Sequence, residues 1–329
     1  MPATITVLGA GAWGSALAVH LARSGQAVRL WAHRAEQAAE LAGARENCRR
    51  LPGVPFPDSL VVKGDFPAAL AGADYALVAV PSQAFAQTLV GLSASILPVF
   101  WATKGLDPAS GRPLHEKARE ILGAERGLGV LSGPSFAAEV ARGLPTAVTV
   151  AATDGRLARR FAALLHGPSF RAYVSTDLTG VELGGAAKNV IAIAAGISDG
   201  LGFGANARAG LITRGLAEIL RLGRALGARS RTLTGLSGLG DLVLTATDDQ
   251  SRNRRFGLAL GRGTNAAAAE AEIGAAIEGI PTARALTRLA RELGVEMPIG
   301  EEIRAILDGA RSPRAAVEAL MSRRMKSER

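Results

Sequence analysis

Two of the five lysines in this arginine-rich chain stand where an ammonium group would take part in chemistry. Lys188 lies in GGAAKNVIAI (184–193), among small and apolar residues on a predicted long helix. A buried ammonium is costly unless it is paired, and this setting suits a group that gives or takes a proton. Alternatively, Lys188 reaches the surface along its apolar stem or pairs with Glu182. Its neighbour Asn189 is placed to bond either backbone or a ligand.

The second lysine, Lys104, directly follows a predicted strand over 96–102. The segment SGPSF (132–136) follows another predicted strand near Val130 in the same way. Ligands bind at the carboxyl ends of parallel strands, so both segments are candidate contact points. Gly133 and the amides near Ser135 would form a nest of donors for an anion. An ordinary capped turn is the alternative explanation for either segment.

A third candidate is the polar run DDQSRNRR (248–255), which GLGD (238–241) precedes. Its residues Ser251, Arg252 and Asn253 are consecutive at a predicted helix start. Guanidinium, hydroxyl, amide and free helix N–H groups together suit a phosphate dianion. The alternative is a solvated, charged helix start.

The glycine pattern Gly9-x-Gly11-x-x-Gly14 joins an apolar strand, Thr4–Leu8, to a predicted helix, Ser15–Ser24. In this context the pattern predicts a dinucleotide-binding turn. The first glycine permits the tight turn, the second lets the backbone approach the pyrophosphate, and the third allows close packing of helix on strand. The helix N-terminus then faces the phosphates.

Residues after the second predicted strand, 28–31, bear on the choice of nucleotide. NAD sites commonly carry a carboxylate there, which would repel a 2′-phosphate. This chain has His33 and Arg34 instead, and its first acid is Glu36. We therefore expect NADP(H) to be preferred, with NAD(H) possible. Trp13, inside the glycine loop, either walls the cofactor or packs against the sheet.

Composition narrows the class of protein further. The 329 residues, 48% hydrophobic and 20% charged, are typical of a globular chain of about two domains. A single cysteine, Cys48, excludes a disulfide framework, and four scattered histidines make a zinc enzyme an unfavourable interpretation, so no metal is expected. The net charge of +9 comes from dispersed arginines without a basic tail, so we expect no nucleic acid partner.

The elements that must position these groups fall into two parts. Strands alternate with helices over the first 175 or so residues, which indicates βαβ units. Helical patterns then dominate: 184–197, 208–227, 252–262, 265–276, 282–294, 300–308 and 313–322. The expected fold is an α/β, Rossmann-type, mostly parallel sheet domain (1–178, dinucleotide-binding) followed by an all-α substrate-binding domain (179–329). No basic region precedes the apolar N-terminus, so we expect a soluble, cytoplasmic chain without membrane insertion.

Taken together, these motifs resemble the bacterial NAD(P)-dependent glycerol-3-phosphate dehydrogenases almost end to end. The likeness is carried by long, ordered segments: GAGAWGSALA (9–18), NCRRLPGVPFPDSL (47–60), ATKGL (102–106), SGPSFAAEVARGLPTA (132–147), ELGGAAKNVIAIAAGISDGLGFGANARAGLITRGLAE (182–218), GLGDLVLT (238–245), QSRNRRFG (250–257) and IEGIPT (277–282). The resemblance implies reversible reduction of dihydroxyacetone phosphate to sn-glycerol 3-phosphate, which feeds glycerophospholipid synthesis.

The resemblance also implies roles for individual residues. The general acid/base falls on Lys188. Substrate contacts fall on Lys104, Gly133, Ser135, Lys188, Asp241, Ser251, Arg252 and Asn253. Cofactor contacts fall on Gly9, Gly11, Trp13, Gly14, His33, Arg34, Lys104, Ala137, Arg252, Ala276 and Glu278. The family likeness further suggests a homodimer.

Two other functions fit part of the pattern. Another two-domain reductase, of the 3-hydroxyacid or ketopantoate type, would explain the glycine loop and the helical lysine but not a phosphate clamp at 251–253. A cofactor-binding regulator without catalysis would explain the loop alone. Lys188, Lys104 and Asp241 argue against the regulator.

Overall fold

The chain divides into two compact units in a computed structural model that describes residues 2–322. The first unit runs to Asp107 and includes Pro113–Glu182. The second comprises Pro108–Arg112 and the described residues from Leu183 onward. The polar tail 323–329, with Arg323 and Arg324, lies outside the described residues.

The first unit is built on an eight-stranded sheet. Its strands are β1 (Thr4–Leu8), β2 (Ala27–Trp31), β5 (Leu60–Lys63), β6 (Tyr75–Val78), β7 (Val99–Trp101), β8 (Leu128–Ser132), β9 (Thr146–Ala152) and β10 (Phe170–Ser175), with a separate hairpin of β3 (Glu46–Asn47) and β4 (Leu51–Pro55). The order is β10-β9-β8-β7-β6-β1-β2-β5, and every pair is parallel except β8 with β9. The expected mostly parallel, Rossmann-type sheet is confirmed.

Helices cover both faces of this sheet. They are α1 (Ala12–Arg23), α2 (Ala35–Ala44), α3 (Phe66–Leu70), α4 (Ser82–Gly91), α5 (Leu114–Leu122), α6 (Ala137–Ala141) and α7 (Gly155–Leu165). Alternate residues of β7 feed opposite cores, as a strand buried on both faces requires. Phe100 stacks on Phe161 of α7 at 3.8 Å, whereas Val99 and Trp101 pack in the second cluster.

The rest of the described chain is helical, which confirms the expected all-α second part. Its helices are α8 (Leu178–Gly200), α9 (Gly204–Ala225), α10 (Ser230–Leu233), α11 (Asp241–Thr247), α12 (Arg252–Gly261), α13 (Ala266–Ile273), α14 (Gly279–Glu292), α15 (Pro298–Leu307) and α16 (Pro313–Met321), with a π-helical turn at Leu236–Gly240. Helix α8 begins in the first unit and ends in the second. It is long and apolar enough for a membrane span, but its apolar window is entirely buried, as in a core helix.

Glycines let α8 and α12 approach to backbone contact. A Cβ at Gly196 would lie 2.1 Å from the carbonyl oxygen of Arg254, and one at Gly257 would lie 2.1 Å from that of Ile193. No side chain fits at either position. The helix that carries Lys188 is therefore held directly against the helix that begins at Arg252.

Several expected boundaries are wrong for local reasons. The helix expected over 265–276 ends at Ile273, because Gly274 adopts a left-handed φ of +60°. The strand expected over 96–102 covers only Val99–Trp101, and Ile96 is 92% exposed. The helix expected to open at Ser15 begins at Ala12, inside the glycine loop.

Candidate active site

The glycine loop between β1 and α1 has the shape that a dinucleotide requires. Gly9 has a φ of +118°, and a Cβ there would lie 2.7 Å from the carbonyl oxygen of Ala79. A Cβ at Gly14 would lie 1.9 Å from the carbonyl oxygen of Gly9, so α1 packs directly on the turn. A Cβ at Gly11 would meet nothing within 4 Å, which leaves its backbone open to a ligand.

Two further features of this loop test whether a dinucleotide fits. No side chain caps α1 at Gly11, so its first-turn N–H groups are left for a phosphate. The indole Nε1 of Trp13 is buried and has no hydrogen-bond partner among residues 2–322, although the ring packs against the core of the first unit. An uncapped helix start beside an orphaned donor fits a bound dinucleotide.

Basic groups follow β2, as the sequence indicates. His33 and Arg34 are both exposed, and His33 meets the ring of Trp31 edge-on at 5.6 Å. Arg34 is the N-cap residue of α2, and the exposed Glu36 lies in the first turn of that helix. Basic side chains therefore come before the first carboxylate at this end of the sheet.

The ends of β7 and β8 bring three predicted substrate contacts together. The Lys104 Nζ donates to the carbonyl oxygen of Gly133 at 3.0 Å, and the Ser135 hydroxyl donates to the same oxygen at 2.8 Å. Gly133 has a φ of +148°, and a Cβ there would lie 2.9 Å from the Cα of Val148. Ala137, a predicted cofactor contact, opens α6 two residues after Ser135.

In the second unit, Lys188 is buried, with 6% of the residue exposed. Its Nζ donates to a carboxylate oxygen of Asp241 and to the hydroxyl of Thr245, the latter at 2.8 Å. Asp241 opens α11 and is 1% exposed, and the Thr245 hydroxyl donates to its backbone carbonyl at 2.6 Å. The alternatives of a surface lysine or a pair with Glu182 are therefore wrong. Sequence reasoning missed Thr245, although its i+4 spacing from Asp241 was a usable signal.

Glu182 instead accepts hydrogen bonds from two elements of the first unit. One carboxylate oxygen accepts from the indole of Trp101 at 2.9 Å and from the backbone N–H of His115 at 3.0 Å. The other lies 2.5 Å from the His115 Nδ1. Burial lowers the pKa of His115, but the hydrogen bond and charge of Glu182 raise it more, so the net shift is upward; Arg119 and Glu116 on the same helix act more weakly and in opposite directions.

The predicted phosphate clamp forms the start of α12. Ser251 is its N-cap residue and accepts from a backbone N–H one turn on, and Arg252 is exposed at the first position. Asn253 is buried, and its amide donates to the Asn189 side chain and accepts from the backbone N–H of Gly279, each at 2.9 Å. Asn253 thus ties α8, α12 and α14 together.

A half-buried ion-pair network that the sequence did not reveal supports the same helix. Arg254 donates to Asp199 of α8 at 2.6 Å, and Arg208 of α9 reaches the same carboxylate at 2.9 Å. The remaining predicted cofactor contacts lie at the start of α14: Glu278 is its half-buried N-cap residue, and Ala276 is exposed. Among residues 2–322, no group of three or more potential metal ligands occurs.

Comparison with known proteins gives matches along nearly the whole chain. Residues 4–158 match the model for the N-terminus of NAD-dependent glycerol-3-phosphate dehydrogenase, and residues 177–318 match that for its C-terminus. A glycerol-3-phosphate dehydrogenase [NAD(P)+] from Thioalkalivibrio sulfidiphilus is 56% identical over 98% of each chain. One from Halorhodospira halophila is 54% identical over 100% of this chain and 99% of its own.

Solved structures agree with this assignment. The crystal structure of glycerol-3-phosphate dehydrogenase from Coxiella burnetii matches with a TM-score of 0.95 and 46% identity, over 98% of this chain and 99% of that one. A probable 2-dehydropantoate 2-reductase from Bacillus subtilis, covering 94% of this chain and 100% of that one, reaches only 0.59 at 16% identity, which shows a shared fold alone. The chain belongs to the NAD-dependent glycerol-3-phosphate dehydrogenase family.

Proposed function

We propose that this protein catalyses the reversible, NAD(P)H-dependent reduction of dihydroxyacetone phosphate to sn-glycerol 3-phosphate. Its close relatives are named as NAD(P)-dependent glycerol-3-phosphate dehydrogenases, and the chain matches them over nearly its whole length. Among individual residues, the buried Lys188, whose ammonium donates to Asp241 and Thr245, supports this proposal most strongly. It supplies a fixed proton donor inside a member of a dehydrogenase family.

The reaction needs a hydride at the ketone carbon and a proton at its oxygen. Bound NAD(P)H supplies the hydride. Lys188 donates its proton to the oxygen as negative charge develops there, and it takes the proton back in the reverse direction. Asp241 stabilises the ammonium form of Lys188, which is the form that can donate, and Thr245 fixes its direction. Lys104 orients the substrate or stabilises the developing charge.

The substrate phosphate is held at a distance from the reacting carbon. Three sets of groups at the start of α12 suit a dianion: the Ser251 hydroxyl, the exposed side chain of Arg252, and the first-turn N–H groups other than that of Arg254, which Ser251 caps. Asn253 acts on this clamp through its bonds to α8 and α14. Binding energy at the phosphate then fixes the geometry of the carbonyl.

The first unit binds the dinucleotide through the glycine loop, Trp13, Lys104 and Ala137, and the family resemblance adds Ala276 and Glu278, which lie just before α14. His33 and Arg34 favour the 2′-phosphate, so NADP(H) is preferred over NAD(H). The second unit binds the substrate. The protein acts in the cytoplasm as a homodimer, without membrane insertion, and its product enters glycerophospholipid synthesis.

A paired substrate test examines this function. NADPH oxidation is followed with dihydroxyacetone phosphate and with unphosphorylated dihydroxyacetone, for the wild type and Arg252→Ala. We expect fast turnover only with the phosphate, and a KM for it at least about 10-fold higher in the variant. Equal turnover of both ketones, or an unchanged KM in Arg252→Ala, contradicts the clamp. No turnover of either, with NADPH bound, contradicts the reaction.

A further inference from the structure

The carboxylate of Glu182 is buried and has no place in the chemistry described above. Only 1% of its side chain is exposed, and its carboxylate makes three hydrogen bonds, to groups on β7 and α5. The loss of hydration of a buried carboxylate must be offset by hydrogen-bond donors around it. Here the donors are an indole, an imidazole and the first-turn backbone of α5, whose N-terminus also favours a negative charge.

Trp101 and Glu182 each lie close along the chain to one of the two lysines with a proposed role. Trp101 is the last residue of β7, three residues before Lys104. Glu182 lies on α8, six residues before Lys188, or about 9 Å along one continuous helix. A shift of Glu182 along or around the helix axis is therefore transmitted to Lys188.

We infer that Glu182 is a positioning residue for the reaction: its bonds to Trp101 and His115 fix the register of α8 and so place the ammonium of Lys188. This inference rests on the proposed function, because it needs Lys188 to be the proton donor. Proton transfer demands sub-ångström placement, and a misplacement of about 1 Å costs about 100-fold in rate.

Glu218 provides a matched control within the same chain. It is equally buried, at 2% exposed, and its carboxylate accepts from the backbone N–H groups of Ile299 and Gly300, at 2.8 and 3.2 Å, at the start of α15. Neither α9, which carries Glu218, nor α15 carries a residue of the proposed site. Glu218→Gln thus makes the same chemical change at another buried carboxylate bonded to a helix start.

The experiment compares Glu182→Gln, Glu218→Gln and Lys188→Ala with the wild type, in NADPH oxidation with dihydroxyacetone phosphate. We expect Glu182→Gln to lower kcat by about 10- to 100-fold while the KM for NADPH stays within about twofold. Glu218→Gln lowers the melting temperature by a similar amount and keeps kcat within about twofold of the wild type. If Glu182→Gln does not fold, Trp101→Phe removes a single donor and lowers kcat several-fold in the same direction.

The outcomes separate the two levels of the argument. Equal kcat values for Glu182→Gln and Glu218→Gln, with Lys188→Ala inactive, overturn the positioning role and leave the proposed function standing. Near-normal turnover by Lys188→Ala overturns the positioning role and the assignment of Lys188 as proton donor, whereas absence of turnover by the wild type, with NADPH bound, overturns the proposed reaction. Loss of NADPH affinity together with kcat in Glu182→Gln indicates general damage to the first unit and also overturns the inference.

Discussion

The buried pair of Lys188 and Asp241 should contribute to the free energy of unfolding, which can be measured independently of catalysis. Only 8% of the lysine side chain and 1% of the aspartate side chain are exposed. Removing one partner of a buried pair leaves an uncompensated charge, at a cost of about 3–5 kcal/mol. Asp241→Ala should therefore lower the free energy of unfolding by about that amount, with the Thr245 hydroxyl offsetting part of it.

Replacing the lysine instead of the aspartate should lower the free energy of unfolding by less. Lys188→Met leaves the Asp241 carboxylate at the N-terminus of α11, where helix N–H groups favour a negative charge. We expect a loss of about 1–3 kcal/mol. The double variant contains neither charge, so its loss should fall short of the sum of the single losses by about 2 kcal/mol.

Denaturant unfolding of the four proteins measures this coupling, with circular dichroism to confirm that each is folded beforehand. The informative quantity is the difference between the double variant and the sum of the single variants. Losses that add within about 0.5 kcal/mol would show that the two charges do not interact in solution, and the structural basis for Lys188 as an oriented donor would fail.

Three further predictions follow from other parts of the molecule. Gly14→Ala should abolish NADPH binding and destabilise the fold, since its Cβ would lie 1.9 Å from a backbone oxygen. Gly11→Ala should weaken NADPH binding and leave the melting temperature unchanged. Fluorescence titration measures the NADPH affinity and calorimetry the melting temperature, and a normal NADPH affinity in either variant contradicts the loop assignment. Arg34→Glu should raise the KM for NADPH by at least about 10-fold and that for NADH by less than about threefold; equal effects on both would exclude contact with the 2′-phosphate. Glu182 raises the pKa of His115, so the pair adds stability that is fully present below the unfolded-state pKa of 6.5 and is lost as pH rises through the folded-state pKa. The difference in melting temperature between the wild type and His115→Gln should therefore be larger in mildly acidic than in mildly alkaline buffer. A difference that grows with rising pH would refute the coupling.

The sheet could be predicted from the sequence except at its margins. The central strand β7, for example, lies inside the apolar run 96–102, and this pattern was found. The two strands that were missed in the sheet, β5 and β10, are its two edges. At these edges the apolar runs are short: LVVK has three apolar residues before Lys63, and FRAYVS is interrupted by Arg171, so neither sequence stands out as a strand.

The candidate site was predictable where its signals are local. The glycine pattern and the start of α12 at Arg252 each depend on neighbouring residues, and both were located from spacing. The partners of Lys188 were not, because Asp241 lies 53 residues away and only the packing of the helices brings it close. The sequence offered Glu182 only as an alternative partner for Lys188. No nearby residues indicate its bond to His115, which lies 67 residues away.

The central claim is that Lys188 donates the proton in the reduction of dihydroxyacetone phosphate. The most direct measurement is the kcat for this substrate with NADPH in the wild type and Lys188→Ala, with NADPH affinity measured separately to show that the first unit is intact. We expect normal NADPH binding and a kcat lower by about 10²- to 10⁴-fold, the usual scale for a general acid. A Lys188→Ala enzyme that turns over at close to the wild-type rate would contradict it.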